Sequence, residues 1–543
     1  MKIGTAIAFF AASVATSVYG MSVAQKHDAV SLLSEKFIAP NAQVIEEAQS
    51  YILQGNSIED IQAKLGEVGA QASQSFPIIN AVSASLTPSQ VSAVKASGSF
   101  RVQADRTVMT MKRHMMSLQA SFITSIDNHI AQITNVSRVH DVLGQTGSTD
   151  IGVMFVDSGF DFVDRRNRHL MQDLQGNGKV SAPFNAMTDM QDMDAYLDEN
   201  GHGTHVAGIV SSTILSNGGN YNGIAPDVKM LSVKAFDENG SGSYSTVLNA
   251  LNWIYENADL DTFRVLNLSI GAPVASHYWQ DPINQAVMRL WDEGVVVVTS
   301  AGNSGEELGI SVPGNNPYVI TVGAMADNGT PTDFNDDRIA TFSSRGPTYE
   351  GFVKPDLVAP GMSIAVQMGN DGKMAQGLRQ HEINDRYYVM SGTSQASAVV
   401  SGIAALILSQ HPDLSADDVK CRIVSTARTA VNNDMLSFSP FAQGSGLVDA
   451  YAAVTSIATG CANVGLDIEE DLEGDRHFYG PVQRDEKGEF YIELANGEML
   501  TEGSHWGRGF SVEGSHWGSV FSVEGSHWGD NVSVEGALWG NNM

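Results

Sequence analysis

Ser391-Gly-Thr-Ser394-Gln-Ala-Ser397-Ala-Val-Val-Ser401-Gly402 is the stretch around which the rest of the chain is organised. Small residues lead straight into an apolar run that continues to Ile407, so a loop passes directly into a helix. A serine at such a junction presents its hydroxyl beside unpaired backbone N–H groups and the positive end of the helix dipole. Negative charge is favoured there, which suits a serine whose attack generates an oxyanion. Alone, Gly-Thr-Ser before a helix reads more simply as an N-cap. Its weight comes from the segments around it.

From Ile151 onward, short β-rich runs alternate with amphipathic helices. Strands are predicted at 151–156, 228–233, 265–268, 295–299, 319–322 and 357–359, with helices such as 246–256 and 283–291 between them. Several of the strands are apolar throughout, as expected of a sheet buried on both faces. The pattern predicts an α/β fold, a mostly parallel sheet flanked by helices. The run Ile151–Val156 ends in Asp157-Ser-Gly159, which puts a carboxylate at the strand edge where open α/β sheets carry their sites. Asn200-Gly-His202-Gly-Thr-His205-Val-Ala-Gly208 opens a helix with an imidazole in its first turn, and Ser300-Ala-Gly-Asn303 follows a strand with an amide donor. Serine is a poor nucleophile until an imidazole removes its proton, and a carboxylate must hold that imidazole in the right tautomer. The Asn303 amide and the Ser394 N–H then suit a tetrahedral oxyanion.

With these segments together, the chain resembles the subtilisin-like serine proteases. Asp157-Ser-Gly159, His202-Gly-Thr-His205, Ser300-Ala-Gly-Asn303 and Gly392-Thr-Ser394 carry the likeness, in the order Asp, His, Ser that marks subtilisin. Ser343-Ser-Arg-Gly346 and Lys354-Pro-Asp-Leu-Val-Ala-Pro-Gly361 support it. The resemblance implies that Asp157 orients, His202 is general base and acid, Ser394 is the nucleophile and Asn303 lines the oxyanion hole, with His205 structural. It implies a secreted endopeptidase that acts on protein and peptide substrates and is made as a self-processing zymogen. Gly240-Ser-Gly242-Ser-Tyr244 and Ser269-Ile270-Gly271 resemble the two edges of a cleft that pairs with an extended peptide. The uncharged residues near Ser300–Gly302 and Ser311-Val-Pro313 favour apolar side chains at the residue before the cleaved bond. No cofactor is implied for catalysis. A structural calcium stays open, with no ligands assigned: Phe162 to Leu170 does not reproduce the family pattern, and Asn217 and Asn220 alone do not make a site. Gln395 stands where the family usually has methionine.

Ahead of this domain lies a small α/β unit. Tyr51–Leu53 and Asn80–Leu86 read as strands and Ile58–Leu65 as a helix; Thr87-Pro88-Ser89-Gln90 starts another with a capping box and Pro at the first helical position. Phe76–Leu86 and Phe100–Arg106 resemble the family's prosegment, which assists folding, inhibits the site with its C-terminal end and is removed by self-cleavage. A cleavage point between Thr107 and Ala131 is expected.

The net charge of −30 excludes non-specific nucleic-acid binding, which needs cationic groups against phosphate. Lys2 followed by the apolar run Ile3–Ala15 and small residues up to Ala24 reads as a secretory signal peptide, and no other window is apolar enough for a membrane span. Cys421 and Cys461 permit one intramolecular bridge, or two free thiols. The tail repeats every 11 residues, with Glu502–Gly507, Glu513–Gly518, Glu524–Gly529 and a degenerate Glu535–Gly540. Such units need one another, or a partner, to bury their tryptophans. The layout is a signal peptide at 1–24, an inhibitory prosegment at 25–108, a junction at 109–134, a peptidase domain at 135–458, an acidic linker with a hairpin at 459–500 and Trp-rich repeats at 501–543. Two rival readings remain: a non-catalytic binding protein working through its Trp-rich tail, and a processing protease with one partner substrate.

Overall fold

The computed structural model describes residues 46–110, 129–160, 181, 183–191, 197–215, 219, 221–368, 372–377, 382–383, 387–432, 435–474, 476–486, 488, 490–493 and 499–501. The expected signal peptide, most of the expected junction (111–128), the loop 162–170, Asn217, Asn220 and the repeats from Glu502 lie outside the described residues.

The first unit has its own core. Strands β1 (Gln49–Gln54), β2 (Ala72–Phe76), β3 (Ala81–Leu86) and β4 (Arg101–Ala104) form an antiparallel sheet in the order β2-β3-β1-β4. Leu53, Ile61, Leu65, Val82, Leu86 and Val94 pack beneath it. The capping box is present: the Thr87 hydroxyl accepts from Gln90 N–H at 3.3 Å, and the Gln90 side chain accepts from Thr87 N–H at 2.9 Å. A fifth strand, β5 (Thr107–Thr110), leaves this unit and runs into the next domain.

The main sheet contains β6 (Gly152–Asp157), β7 (Phe184–Asn185), β8 (Lys229–Lys234), β10 (Val265–Leu268), β12 (Val296–Ser300), β13 (Ile320–Ala326), β14 (Arg338–Ile339) and β15 (Leu357–Pro360). Its order is β14-β13-β12-β10-β6-β8-β7, with β15 beside β13, and all pairs are parallel except β13 with β14. Central strands such as Val296-Val-Val-Thr-Ser300 are buried along their whole length, because helices cover both faces. The short strands β9 (Ser241–Ser243) and β11 (Ile270–Gly271) lie off this sheet.

Two helices position the site. The histidine helix (His202–Ser211) and the serine helix (Thr393–Gln410) pack against each other, and the serine helix also crosses β10, β12 and β13. Thr393 through Leu408 are all buried, as suits a helix apolar on every side. Close approach requires glycine: a Cβ on Gly402 would lie 2.6 Å from Ile224 Cβ.

Beyond Asp449 the structure departs from the expected layout. The last domain helix stops at Thr455, and the chain then turns so that Ala458 O meets Arg422 Nε at 3.3 Å and Cys461 bonds Cys421. The region read as an acidic linker carries a helix, Ile468–Glu473, that packs on the domain because Asp471 is buried under two tyrosine hydroxyls. The expected hairpin is two strands of a three-stranded antiparallel sheet, Val482–Arg484, Phe490–Glu493 and Met499–Thr501. Among the described residues no helix is long and apolar enough to cross a membrane.

Candidate active site

Asp157 is the last residue of β6 and His202 the first of the histidine helix. The imidazole Nδ1 donates to Asp157 Oδ1 at 2.7 Å, with Oδ2 at 3.0 Å. With its proton on Nδ1, the ring leaves the Nε2 lone pair to accept another. That Nε2 is buried without a hydrogen-bond partner among the described residues. The two segments meet because residue 203 is glycine: a Cβ there would sit 1.9 Å from Gly159 O and 3.2 Å from Asp157 Cβ.

A second carboxylate, unremarked in the sequence, fixes this junction. Asp198 accepts from Gly201 N–H at 2.7 Å, Thr204 N–H at 2.8 Å, the Thr204 hydroxyl at 2.6 Å and the Ser158 hydroxyl at 2.8 Å. Ser158 Oγ in turn accepts from Gly203 N–H at 3.0 Å. One buried carboxylate thus caps the histidine helix and ties it to the residue after Asp157. Burial pushes the Asp198 pKa up, against the hydrogen bonds from Thr204, Gly201 and Ser158. An aspartate placed shortly before a helix start is a capping signal the sequence does carry.

Ser394 and Asn303 come together through Thr393. The Asn303 carbonyl oxygen accepts from Thr393 N–H and from the Thr393 hydroxyl, each at 3.0 Å. A backbone N–H needs an acceptor, so this end of the amide is the oxygen and the other end is the –NH2 donor. The Ser394 hydroxyl donates to Ser269 O at 3.4 Å. Ser269 Oγ contacts Ser397 Oγ at 3.0 Å and donates to Ser394 O at 3.2 Å, pinning the first turn of the serine helix to the β10–β11 link.

The two halves are joined by Gln395 and His205. Gln395 Nε2 lies 3.4 Å from His205 Nδ1, while His205 Nε2 faces Ile364 O at 3.1 Å and Tyr388 O at 3.3 Å. Two carbonyls fix the Nε2–H tautomer, so Nδ1 accepts from the glutamine. Burial first, and the neighbouring His202 second, pull the His205 pKa down to about 3, so the ring stays neutral. Both His205 nitrogens are thus engaged within the fold. Among the described residues no group of three or more His, Cys, Asp or Glu is placed to hold a metal ion. Cys421 and Cys461 are disulfide-bonded.

Two of the short segments singled out in the sequence, 241–243 and 270–271, pair with another stretch of this chain. Strand β5 lies between β9 and β11 as the middle strand of an antiparallel sheet. Val108 pairs with Gly242, Met109 with Ser241 and Gly271, and Thr110 with Ile270. Thr110 N–H donates to Gly240 O at 2.9 Å. A Cβ on Gly242 would approach Ala235 O to 2.5 Å, so only glycine lets this edge lie so close to the domain. The chain that fills the slot comes from the first unit.

The model of the Subtilase family matches residues 148–446. The chain is 40% identical over 230 residues to serine protease AprX of Bacillus subtilis, covering 41% of this chain and 52% of that one, so it spans about half the length of that relative. It is 36% identical over 259 residues to subtilisin DY of Bacillus licheniformis, covering 47% of this chain and 78% of that protein. With subtilisin E of Bacillus subtilis the identity is 30% over 392 residues, covering 72% and 84%. Among solved structures, fervidolysin from Fervidobacterium pennivorans, a keratinolytic enzyme related to subtilisin, shares the fold: TM-score 0.58, 22% identity, 78% of this chain and 63% of that one.

Proposed function

Because the chain belongs to the subtilase family and is a subtilisin-like serine endopeptidase, we propose that it hydrolyses peptide bonds through Asp157, His202 and Ser394 and is made as a self-inhibited zymogen. The observation that carries the reading is the 2.7 Å bond from His202 Nδ1 to Asp157, which leaves Nε2 as the ring's base.

An extended peptide pairs with β9 and β11. His202 Nε2 takes the Ser394 proton as Oγ attacks the carbonyl carbon, and Asp157 stabilises the imidazolium. Negative charge on the carbonyl oxygen is met by the Asn303 amide and the Ser394 N–H at the start of the serine helix; loss of one such donor typically costs about 3–4 kcal/mol of transition-state stabilisation. Collapse breaks the C–N bond, His202 returns the proton to the leaving amine, and water then releases the acyl group by the same path. The position of β5 supports an inhibitory prosegment, since residues 107–110 take the slot a substrate needs. The apolar leader up to Ala24 and the Cys421–Cys461 disulfide support secretion into an oxidising compartment.

Casein hydrolysis tests the reading. The wild-type chain is expected to label with a fluorophosphonate and to hydrolyse casein, and Ser394→Ala to do neither and to keep its N-terminal unit attached. Undiminished hydrolysis by Ser394→Ala sinks the assignment. Mass spectrometry of the mature termini checks leader and prosegment removal together.

A further inference from the structure

Residues 467–474 and 476–484 pack against the same segment on which the N-terminal unit sits. Tyr278–Gln280 and the helix Pro282–Asp292 carry both contacts. Toward the N-terminal unit, Gln280 O accepts from Gln103 at 2.9 Å, Asp281 accepts from Arg106 at 3.3 Å, and Gln285 Oε1 accepts from Gln54. Toward the C-terminal segment, Tyr278 OH donates to Asp471 at 2.6 Å, joined by Tyr318 OH at 2.7 Å, and Arg289 pairs with Glu473.

Trp279 is the keystone of this second contact. Its ring is stacked between His277 at 4.3 Å and His477 at 4.5 Å between centroids. Each imidazole has a carboxylate behind it, Glu350 on His277 Nδ1 at 3.1 Å and Asp471 on His477 Nδ1 at 3.2 Å. Backbone bonds from Gly480 N–H to Glu350 O at 2.9 Å and from Val482 N–H to Gly351 O at 3.1 Å extend the attachment. Gln285 links the two sides, because its Nε2 donates to Trp279 O at 2.7 Å while its Oε1 holds Gln54. A cleft of about 650 Å³ is bounded by Gly55 and Phe100, by Gln285 and Arg289, and by Leu472 and Glu473.

We propose that residues 467–484 are a strap that completes the seat of the N-terminal unit, so that the C-terminal end of the chain sets how firmly its N-terminal end occupies the cleft. The partner is the N-terminal unit itself, reached through Trp279 and Gln285. The disulfide Cys421–Cys461 ties the chain to the domain a few residues ahead of the strap. The proposal rests on the reading of that unit as the inhibitor of the cleft.

Hydrogen exchange on the full chain carrying Ser394→Ala, which stays uncut, tests the coupling directly. Adding Asp471→Asn with His477→Ala is expected to speed exchange in residues 49–54 and 101–110 by about tenfold, while 152–157 and 265–268 keep their protection. Tyr278→Phe, which removes one hydroxyl from Asp471, is the milder variant and is expected to act in the same direction. An N-terminal unit that keeps its protection while 468–484 loosens overturns the proposal, as does an equal loss across the central strands. Exchange in the uncut chain reads docking alone. An N-terminal unit that never slows hydrolysis would defeat the inhibitor reading and leave the exchange result standing.

Discussion

At the residue scale, Gln395 and Asp198 act through groups they hold. Gln395 is buried next to Ser394 and bonds His205. The family resemblance puts methionine at this position, and a thioether there is open to oxidation to a polar sulfoxide, whereas an amide is not. Wild-type activity is therefore expected to outlast that of Gln395→Met in hydrogen peroxide, by about tenfold in half-life; equal half-lives refute it. Asp198 holds Gly201, Thr204 and Ser158, and these four hydrogen bonds set the approach of His202 to Asp157. Asp198→Ala is expected to lower kcat by about 10- to 100-fold through misplacement of the imidazole, with KM for a peptide substrate little changed. A fall in KM-dependent binding alone, with kcat intact, contradicts that role. The contacts of Asp157 with His202 and of Asn303 with the start of the serine helix were legible as candidates because each residue stands at a recognisable strand end or helix start. The links among them were not, since Ser158, Thr393 and Gln395 are ordinary until the chain folds their segments together.

At the element scale, the end of the sheet near β15 holds a charge cluster with a predictable pH signature. Lys354 and Lys420 are buried around one carboxylate, Asp356, at 2.6 Å and 3.4 Å. Lys354 also donates to Val319 O at 2.8 Å, and Lys420 to Pro317 O at 2.7 Å and Asn463 at 2.9 Å. Burial pulls the Lys354 pKa down to about 7, against the Asp356 carboxylate and aided by the Lys420 charge. An exposed lysine in the unfolded chain titrates near 10.4. Between those values the folded chain binds fewer protons than the unfolded one, so stability rises with pH, by at most about 1.4 kcal/mol per unit from this group. Thermal unfolding of the Ser394→Ala chain, free of self-digestion, is expected to show a rising Tm from pH 7 to 10, and Lys354→Met to flatten that rise. An unchanged slope in the variant removes Lys354 as its source. Strands such as Val296–Ser300 could be read directly because burial on both faces demands unbroken apolar sequence. Thr107-Val-Met-Thr110 could not be read as a strand: it carries no pattern of its own and is extended because β9 and β11 pair with it. The helix Ile468–Glu473 was hidden by its acidity, since Asp471 is buried only because Tyr278 and Tyr318 reach it.

At the scale of the whole molecule, the proposed self-processing acquires an expected position from the register of β5. The strand runs antiparallel to β11, with Met109 opposite Gly271 and Thr110 opposite Ile270. The next position along β11 is Ser269, whose carbonyl oxygen takes the Ser394 hydroxyl. A first cut one residue past this paired strand, after Met111, is therefore expected, with Lys112 as the first mature N-terminus. This narrows the window from Thr107 to Ala131 to a single bond, because pairing fixes position along a strand far more tightly than composition does. The same register makes the cut sensitive to Thr110, whose N–H donates to Gly240 O. Thr110→Pro removes that donor and is expected to slow processing by about tenfold, leaving hydrolysis of a small substrate by the mature enzyme unaltered once the unit is gone. Timed sampling of the intact chain, with N-terminal sequencing of the earliest product, decides the matter. A first product that begins downstream of Lys112, or a Thr110→Pro chain that matures at the normal rate, means that the strand seen between β9 and β11 is not the one presented for cleavage.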